Sequence, residues 1–210
     1  MKKNVWWNAI AVAAVAAAAL SGCGRAATAT PPAEATKDAL TAAADRVQRG
    51  QYLVNAMGCH DCHTPLKAGA NGPEPDMTRM LSGHPETLKM PRPSNTGNGL
   101  WTWSAAVTNT AFSGPWGISY AMNLTPDENT GIGIWTEDMF VRAIKTGQHM
   151  GTSRPIMPPM PWPAFRNLSE EDLKAIYAYL RTIRPITNHV PDYAPPDVVA
   201  AMAAGDAGHQ

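Results

Sequence analysis

Cysteine is scarce in this chain, and its scarcity narrows the chemistry that the chain can perform. The 210 residues contain three cysteines, at positions 23, 59 and 62. A zinc site of four cysteines, or of two cysteines and two histidines, needs a second ligand pair at defined spacing. The sequence has no second cysteine pair and no internal repeat, so we do not expect a structural zinc site or a repeat architecture.

An excess of either charge is also missing. Lys and Arg number 17, Asp and Glu number 17, and the formal net charge is +0 at pH 7. Domains that bind nucleic acid carry a strongly basic face. The balanced composition therefore argues against nucleic acid as a partner, and a protein partner would be recognised through local patches.

No apolar run in the chain is long enough to span a bilayer comfortably. The strongest candidate, residues 9–20, is rich in alanine and valine and follows two lysines, as in an export signal. Leu20-Ser21-Gly22-Cys23 resembles the lipobox of bacterial lipoproteins, in which the cysteine is lipidated and becomes the mature N-terminus. An ordinary signal peptide cleaved near Ala26 is the alternative. We expect residues 1–22 to be a lipoprotein signal peptide, with the lipid on Cys23.

The most specific signal in the chain is Cys59-His60-Asp61-Cys62-His63. C-x-x-C-H is the attachment signature of a c-type haem, because two thiols on one helical turn can each form a thioether with a vinyl group of the same porphyrin. A thioredoxin-like dithiol would follow a β-strand, whereas residues 49–57 have a helical pattern. We expect one haem c, held covalently by Cys59 and Cys62, with His63 as the proximal iron ligand.

A methionine in the sixth position of the iron would raise the reduction potential and close the site to external ligands. The downstream candidates are Met122, Met139, Met150, Met157 and Met160. Prolines flank the last two, and because prolines fix φ and remove amide donors, residues 154–163 should form a stiff, non-helical strap. Such a strap suits the face of a haem. Met160 fits best as the distal ligand, and Met157 is the second choice.

Helices are predicted on both sides of this strap and before the haem motif. One helix should begin near Thr41 or Asp45 and end at Met57. Capping residues predict two later helices. One begins after Thr136 and ends at Gly147, and the other begins after Ser169 and ends before Pro185. Strand patterns are not persuasive anywhere. Residues 64–135 show little periodicity, and a haem could supply the core that such a segment lacks.

Six segments resemble the class I cytochrome c family, and more closely the membrane-associated monohaem cytochromes c that accompany bacterial periplasmic dehydrogenases and respiratory chains. They are RGQYLV at 49–54, CHDCH at 59–63, NLTPD at 123–127, TGIG at 130–133, MPPMPW at 157–162 and DLKAIYAYLR at 172–181. The resemblance implies an all-α, class I cytochrome c fold, in which three to five short helices wrap around one haem. It places a long irregular insertion at about residues 74–122.

The resemblance also implies roles for single residues. In this family the methionine before Pro-aromatic is the axial ligand, which points to Met160. Gly72-Pro73 is similar to the Gly-Pro of the family, whose proline carbonyl accepts the ring N–H of the proximal histidine, here His63. Gly50 and Tyr179 are similar to the glycine and the aromatic residue at which the first and last helices cross.

The expected organisation is a signal peptide (1–22), a flexible tether (23–40), a cytochrome domain (41–190) and a disordered C-terminal tail (191–210). The insertion holds several aromatic residues, which would form a docking face, an aromatic lining near the haem edge or a satellite core. We favour the satellite core, because aromatic side chains are mostly buried. These aromatic residues are Trp101, Trp103, Phe112, Trp116 and Tyr120.

By resemblance, the chain is a lipid-anchored, periplasmic carrier of single electrons and not an enzyme. It would act between a dehydrogenase or quinol oxidoreductase and an oxidase or another cytochrome. One alternative is a haem-dependent enzyme or sensor such as a peroxidase, which needs an open sixth position on the iron. Another alternative is a fixed cytochrome subunit of a dehydrogenase complex.

Overall fold

The computed structural model describes residues 33–91, 93 and 102–206. The predicted signal peptide, Cys23 and Trp101 lie outside these residues. The described helices are α1 (Ala33–Ala56), α2 (Cys59–His63), α3 (Glu137–Thr146), α4 (Trp162–Phe165), α5 (Glu170–Leu180) and α6 (Pro196–Asp206). The strands are β1 (Leu66–Gly69), β2 (Gly72–Pro75), β3 (Ser104–Ala105), β4 (Ala111–Gly114) and β5 (Gly117–Tyr120).

The prediction that strands are absent is wrong, and the fold is helix-rich with two small sheets. β1 and β2 form an antiparallel hairpin, and β3, β4 and β5 form an antiparallel sheet in that order. Two residues separate β4 from β5, and Gly117, at φ 102°, begins β5. All four residues of β4 are buried, so this strand lacks the alternation of apolar and polar residues that identifies a strand in a sequence.

The two capped helices lie where the sequence predicts them. The Thr136 hydroxyl accepts a hydrogen bond from the amide of Met139 at 3.2 Å, and Gly147 ends α3 at φ 71°. The Ser169 hydroxyl accepts from the amide of Asp172 at 3.0 Å, at the start of α5. Side-chain caps of this kind satisfy amide donors that a helix leaves without partners in its first turn.

Two expectations at the ends of the chain are corrected. α1 begins at Ala33, so the described part of the expected tether is helical, and residues 36–46 of this helix are exposed. The C-terminal tail is not disordered throughout, because it contains α6. Ala194 and Ile118 exchange two backbone hydrogen bonds, of 2.8 and 2.9 Å, so the outer edge of β5 gives this segment a partner.

The main hydrophobic core lies between α1, α3 and α5, with residues of the connecting loops filling its centre. A second, smaller cluster contains Ile118, Ala194 and Val199, with Tyr120 packed against it. Trp103 of the aromatic insertion is exposed, and the satellite core expected for the insertion stays a prediction. Within the residues described here, no helix is both long and apolar enough to cross a membrane.

The crossing of α1 and α5 depends on Gly50. A Cβ atom on Gly50 would lie 1.9 Å from the carbonyl oxygen of Ala175 and 2.8 Å from the Cβ atom of Tyr179. The close approach expected at Gly50 and Tyr179 is therefore present. Any side chain at position 50 would force the two helices apart.

We predict that Gly50→Ala lowers the free energy of unfolding by about 1–3 kcal/mol, the usual range for overpacking a core. Alanine favours a helix more than glycine does, so a loss of stability would report the steric clash and not helix propensity. Chemical denaturation checks this. Gln51→Ala is the matched control, because Gln51 is the next residue of α1 and is exposed, and its effect should stay within about 0.5 kcal/mol. Equal stability of the two variants would contradict the prediction.

Candidate functional site

The two thiols of the haem motif lie on α2, a helix of 5 residues. Gly58, at φ 68°, precedes this helix, and a Cβ atom there would lie 2.7 Å from a carboxylate oxygen of Asp61. The chain therefore turns sharply between α1 and α2. Cys59 packs against the main core, and neither Cys59 nor Cys62 is in a disulfide.

The surroundings of both cysteines disfavour the charged thiolate form. Burial raises the pKa of Cys59 to about 11, and the nearby charge of Asp61 raises it further. Burial also raises the pKa of the Cys62 thiol, with Asp61 acting in the same direction.

His63 is oriented by one hydrogen bond. Its side chain is buried, and its Nδ1 atom lies 2.8 Å from the carbonyl oxygen of Met122. A carbonyl oxygen only accepts, so Nδ1 carries the proton and donates, and Nε2 is left with a free lone pair. Burial lowers the pKa of the ring and favours its neutral form. His63 is thereby prepared as a metal ligand through Nε2.

The carbonyl of Met122 replaces the one that the family resemblance assigns to Pro73, and that assignment is wrong. Pro73 is exposed in β2 and pairs with Ala68 of β1. The chain after β5 instead returns to α2 and brings Met122 against His63. This acceptor is a backbone atom that sequence reasoning missed, because no side-chain type marks it.

Gly83 lets the chain pack closely behind this contact. Its amide donates to the carbonyl oxygen of His63 at 2.8 Å, and a Cβ atom on Gly83 would lie 2.4 Å from the carbonyl oxygen of Ala121. Three segments therefore meet at one glycine. In the sequence, a single glycine in an irregular stretch gives no sign of this role.

Asn123 fixes the loop that carries the Met122 carbonyl. Its side-chain oxygen accepts from the amide and the hydroxyl of Thr125, at 2.9 and 2.7 Å. Its side-chain nitrogen donates to the carbonyl of Ile186 at 2.7 Å and to the hydroxyl of Thr130 at 3.1 Å. With 1% of its surface exposed, Asn123 satisfies groups that are inaccessible to water. The NLTPD segment thus fixes the loop whose backbone oxygen accepts the hydrogen bond from His63.

His63 and four of the five candidate methionines line the same cavity, which has a volume of about 370 Å³. The lining includes Cys62, Met150, Met157 and Met160, and also Phe112 and Tyr120 of the sheet. The structure therefore brings the predicted proximal ligand together with both predicted distal candidates. Met139 does not line this cavity and packs against the main core.

The donor set fits a c-type haem. The cavity joins the Cys62 thiol, the imidazole of His63 and several thioether sulfurs to apolar and aromatic walls, and Cys59 lies three residues before Cys62 on α2, which suits a large apolar ring with a central iron. In the part of the chain that the structure describes, no three His, Cys, Asp or Glu side chains are placed to hold a metal ion alone. The cysteines and His63 are the residues that could hold the porphyrin.

No protein-family model matches the chain, but curated proteins do. The fructose dehydrogenase cytochrome subunit of Gluconobacter japonicus is 28% identical over 141 residues, which are 67% of this chain and 22% of that protein. The gluconate 2-dehydrogenase cytochrome c subunit of Pantoea cypripedii is 29% identical over 133 residues, which are 63% of this chain and 22% of that protein. A nicotinate dehydrogenase subunit of Pseudomonas putida is 38% identical over 81 residues, which are 39% of this chain and 7% of that protein.

The chain spans less than a quarter of the length of each of these relatives. Two of the three are cytochrome subunits of bacterial dehydrogenases by name. The similarity therefore relates this chain to cytochrome c subunits of bacterial dehydrogenases.

We predict that Asn123→Ala lowers the free energy of unfolding by about 1–3 kcal/mol, because it leaves the buried amide of Thr125 without its hydrogen-bond partner. Chemical denaturation of the folded protein measures the loss. Asn129→Ala is the control, since Asn129 is an exposed asparagine in the same loop and should change stability by less than about 0.5 kcal/mol. A loss below about 1 kcal/mol in the Asn123 variant would show that the loop does not depend on this side chain.

Proposed function

We propose that this chain is a c-type cytochrome that carries single electrons and performs no bond chemistry of its own. The observation that carries the proposal is the His63 Nδ1 to Met122 carbonyl hydrogen bond, at 2.8 Å, next to two unpaired thiols in the C-x-x-C-H helix. This bond leaves Nε2 free for iron. The names of the fructose and gluconate dehydrogenase relatives support the same function.

Each residue of the site has a role in this function. Cys59 and Cys62 would hold one haem c through thioethers, and His63 would bind its iron. When bound, the haem supplies a one-electron Fe(III)/Fe(II) couple. The protein orients the imidazole through Met122 and surrounds the ring with apolar side chains such as Phe112, which limit the access of water.

The sixth ligand in this proposal is Met160, with Met157 as the second choice. Both side chains are partly buried and line the cavity that contains His63. Prolines 158, 159 and 161 restrict the backbone around both residues, so little conformational entropy is lost on binding iron. A bound methionine would close the iron to external ligands, which favours a carrier over a peroxidase-like enzyme or a sensor.

The purified holoprotein should show a c-type α-band on reduction and should not bind CO. Met160→Ala should lose the sulfur-to-iron charge-transfer band of the ferric protein, lower the reduction potential and allow the ferrous protein to bind CO. Optical titration and potentiometry measure these changes.

Met157→Ala is the matched control for the ligand assignment and should keep the charge-transfer band. If Met157→Ala loses the band and Met160→Ala keeps it, the ligand is Met157. Strong CO binding by the native protein would favour the haem enzyme or sensor, and a missing α-band would remove haem c altogether.

The partner that we propose is a dehydrogenase, because the named relatives are cytochrome subunits of dehydrogenases. The chain would receive electrons from this dehydrogenase, either as a fixed subunit or as a tethered carrier. It would pass them to an oxidase or another cytochrome. Its place would be the periplasmic side of a bacterial membrane. The sequence of residues 1–23 supports this location through its export signal and lipobox.

We predict that Cys23→Ser moves the protein from the membrane fraction to the soluble periplasmic fraction, because the lipid anchor can no longer be attached. Cell fractionation followed by haem staining checks the location. The control is Ser21→Ala, which changes a neighbouring residue of the lipobox and keeps the cysteine. Retention of the Cys23 variant in the membrane fraction would contradict the lipid anchor.

A further inference from the structure

One side chain of the sheet contacts the centre of the proline-rich segment 154–163. We call this central part, residues 157–160, the methionine strap. The hydroxyl of Ser119, in β5, donates to the carbonyl oxygen of Pro158 at 2.5 Å. Ser119 is buried and lines the same cavity as His63, Met157 and Met160. The contact therefore joins the sheet to the strap within the candidate haem site.

Ser119 is the donor in its hydrogen bond with Pro158, and it accepts a second hydrogen bond from Trp116. The indole Nε1 of Trp116 lies 3.2 Å from the Ser119 oxygen, and an indole nitrogen only donates. The hydroxyl of Ser119 must therefore accept from Trp116 and give its own proton to Pro158. A hydroxyl that accepts one hydrogen bond becomes a stronger donor of the next, so the Trp116 bond strengthens the Ser119 contact.

Trp116 is itself held in place. Its indole ring packs over Gly114, where a Cβ atom would lie 2.6 Å from the ring. The hydroxyl of Tyr193 donates to the carbonyl oxygen of Trp116. Both the side chain and the backbone of Trp116 are thus fixed, which prepares the indole N–H for Ser119.

The strap has few other means of attachment. Pro158 and Pro159 have no amide N–H, so this segment offers few donors to the rest of the protein. Among the residues that the structure describes, the bond from Ser119 is the one hydrogen bond that joins residues 157–160 to another segment. The nearest backbone anchor is at Ile156, whose amide donates to Gly147 at 2.8 Å.

We propose that Ser119, supported by Trp116, is a positioning residue that holds the methionine strap against the haem iron. This inference rests on the proposed function, in which Met160 is the distal ligand. Ser119 binds no iron itself. It keeps the strap closed, so that the methionine sulfur competes successfully with external ligands for the sixth position.

Imidazole binding to the ferric holoprotein tests this role, because an external ligand must displace the methionine. Ser119→Ala should bind imidazole about tenfold more tightly than the native protein and should show a weaker sulfur-to-iron charge-transfer band. The net contribution of one hydrogen bond to stability is about 0.5–1.5 kcal/mol, and about 1.4 kcal/mol corresponds to a tenfold change in affinity. Ser119→Thr keeps a hydroxyl and should restore both values.

Ser113→Ala is the matched control. Ser113 lies in β4 of the same hairpin, both serines are 6% exposed, and among the described residues its hydroxyl has no hydrogen-bond partner. It does not line the haem cavity. Its imidazole affinity should equal that of the native protein. If Ser119→Ala behaves like Ser113→Ala, the positioning role is overturned.

Trp116→Phe provides a second variant in case Ser119→Ala fails to acquire haem. It keeps an aromatic ring but removes the N–H, and it should raise the imidazole affinity in the same direction by a smaller factor. An unchanged affinity in this variant removes Trp116 from the proposal. Met160→Ala separates the ligand assignment from the positioning role of Ser119. If Met160→Ala keeps the charge-transfer band, the ligand assignment fails. If Met160→Ala loses the band while Ser119→Ala has no effect, only the positioning role fails.

Discussion

The hydrogen bond from His63 to the Met122 carbonyl is the constraint on which the rest of the site depends. It joins residues that are 59 positions apart, so the chain between them must return to α2 with one backbone oxygen in the right place. Gly83 permits the close approach, and Asn123 fixes the loop beyond. These contacts of the irregular middle of the chain hold the Met122 carbonyl oxygen in place.

The β4–β5 hairpin connects the two segments that carry the proposed iron ligands. Met122, just after β5, contacts His63, and Ser119, within β5, contacts the methionine strap. The distance between α2 and the strap therefore depends on a short stretch of extended backbone. A strand suits this purpose because its backbone is held by neighbouring strands and changes length little.

The sequence allowed the local features of the fold to be predicted, and the missed features are those that depend on distant backbone. Thr136 and Ser169 identify helix starts because a cap bonds to amides only a few residues away. The C-x-x-C-H motif identifies its chemistry for the same reason. The acceptor at Met122 could not be predicted, since any residue supplies a carbonyl. The strands were missed because they are short and because β4 is buried on both faces.

The pairing of Ala194 with Ile118 gives the C-terminal segment a protective role. A free strand edge offers unpaired N–H and C=O groups to other chains, which makes it a site of intermolecular pairing and aggregation. Here Ala194 occupies the outer edge of β5, and Val199 of α6 packs against Ile118 of the same strand. The two backbone hydrogen bonds at Ile118 therefore leave fewer free groups on this edge for pairing with another copy of the chain.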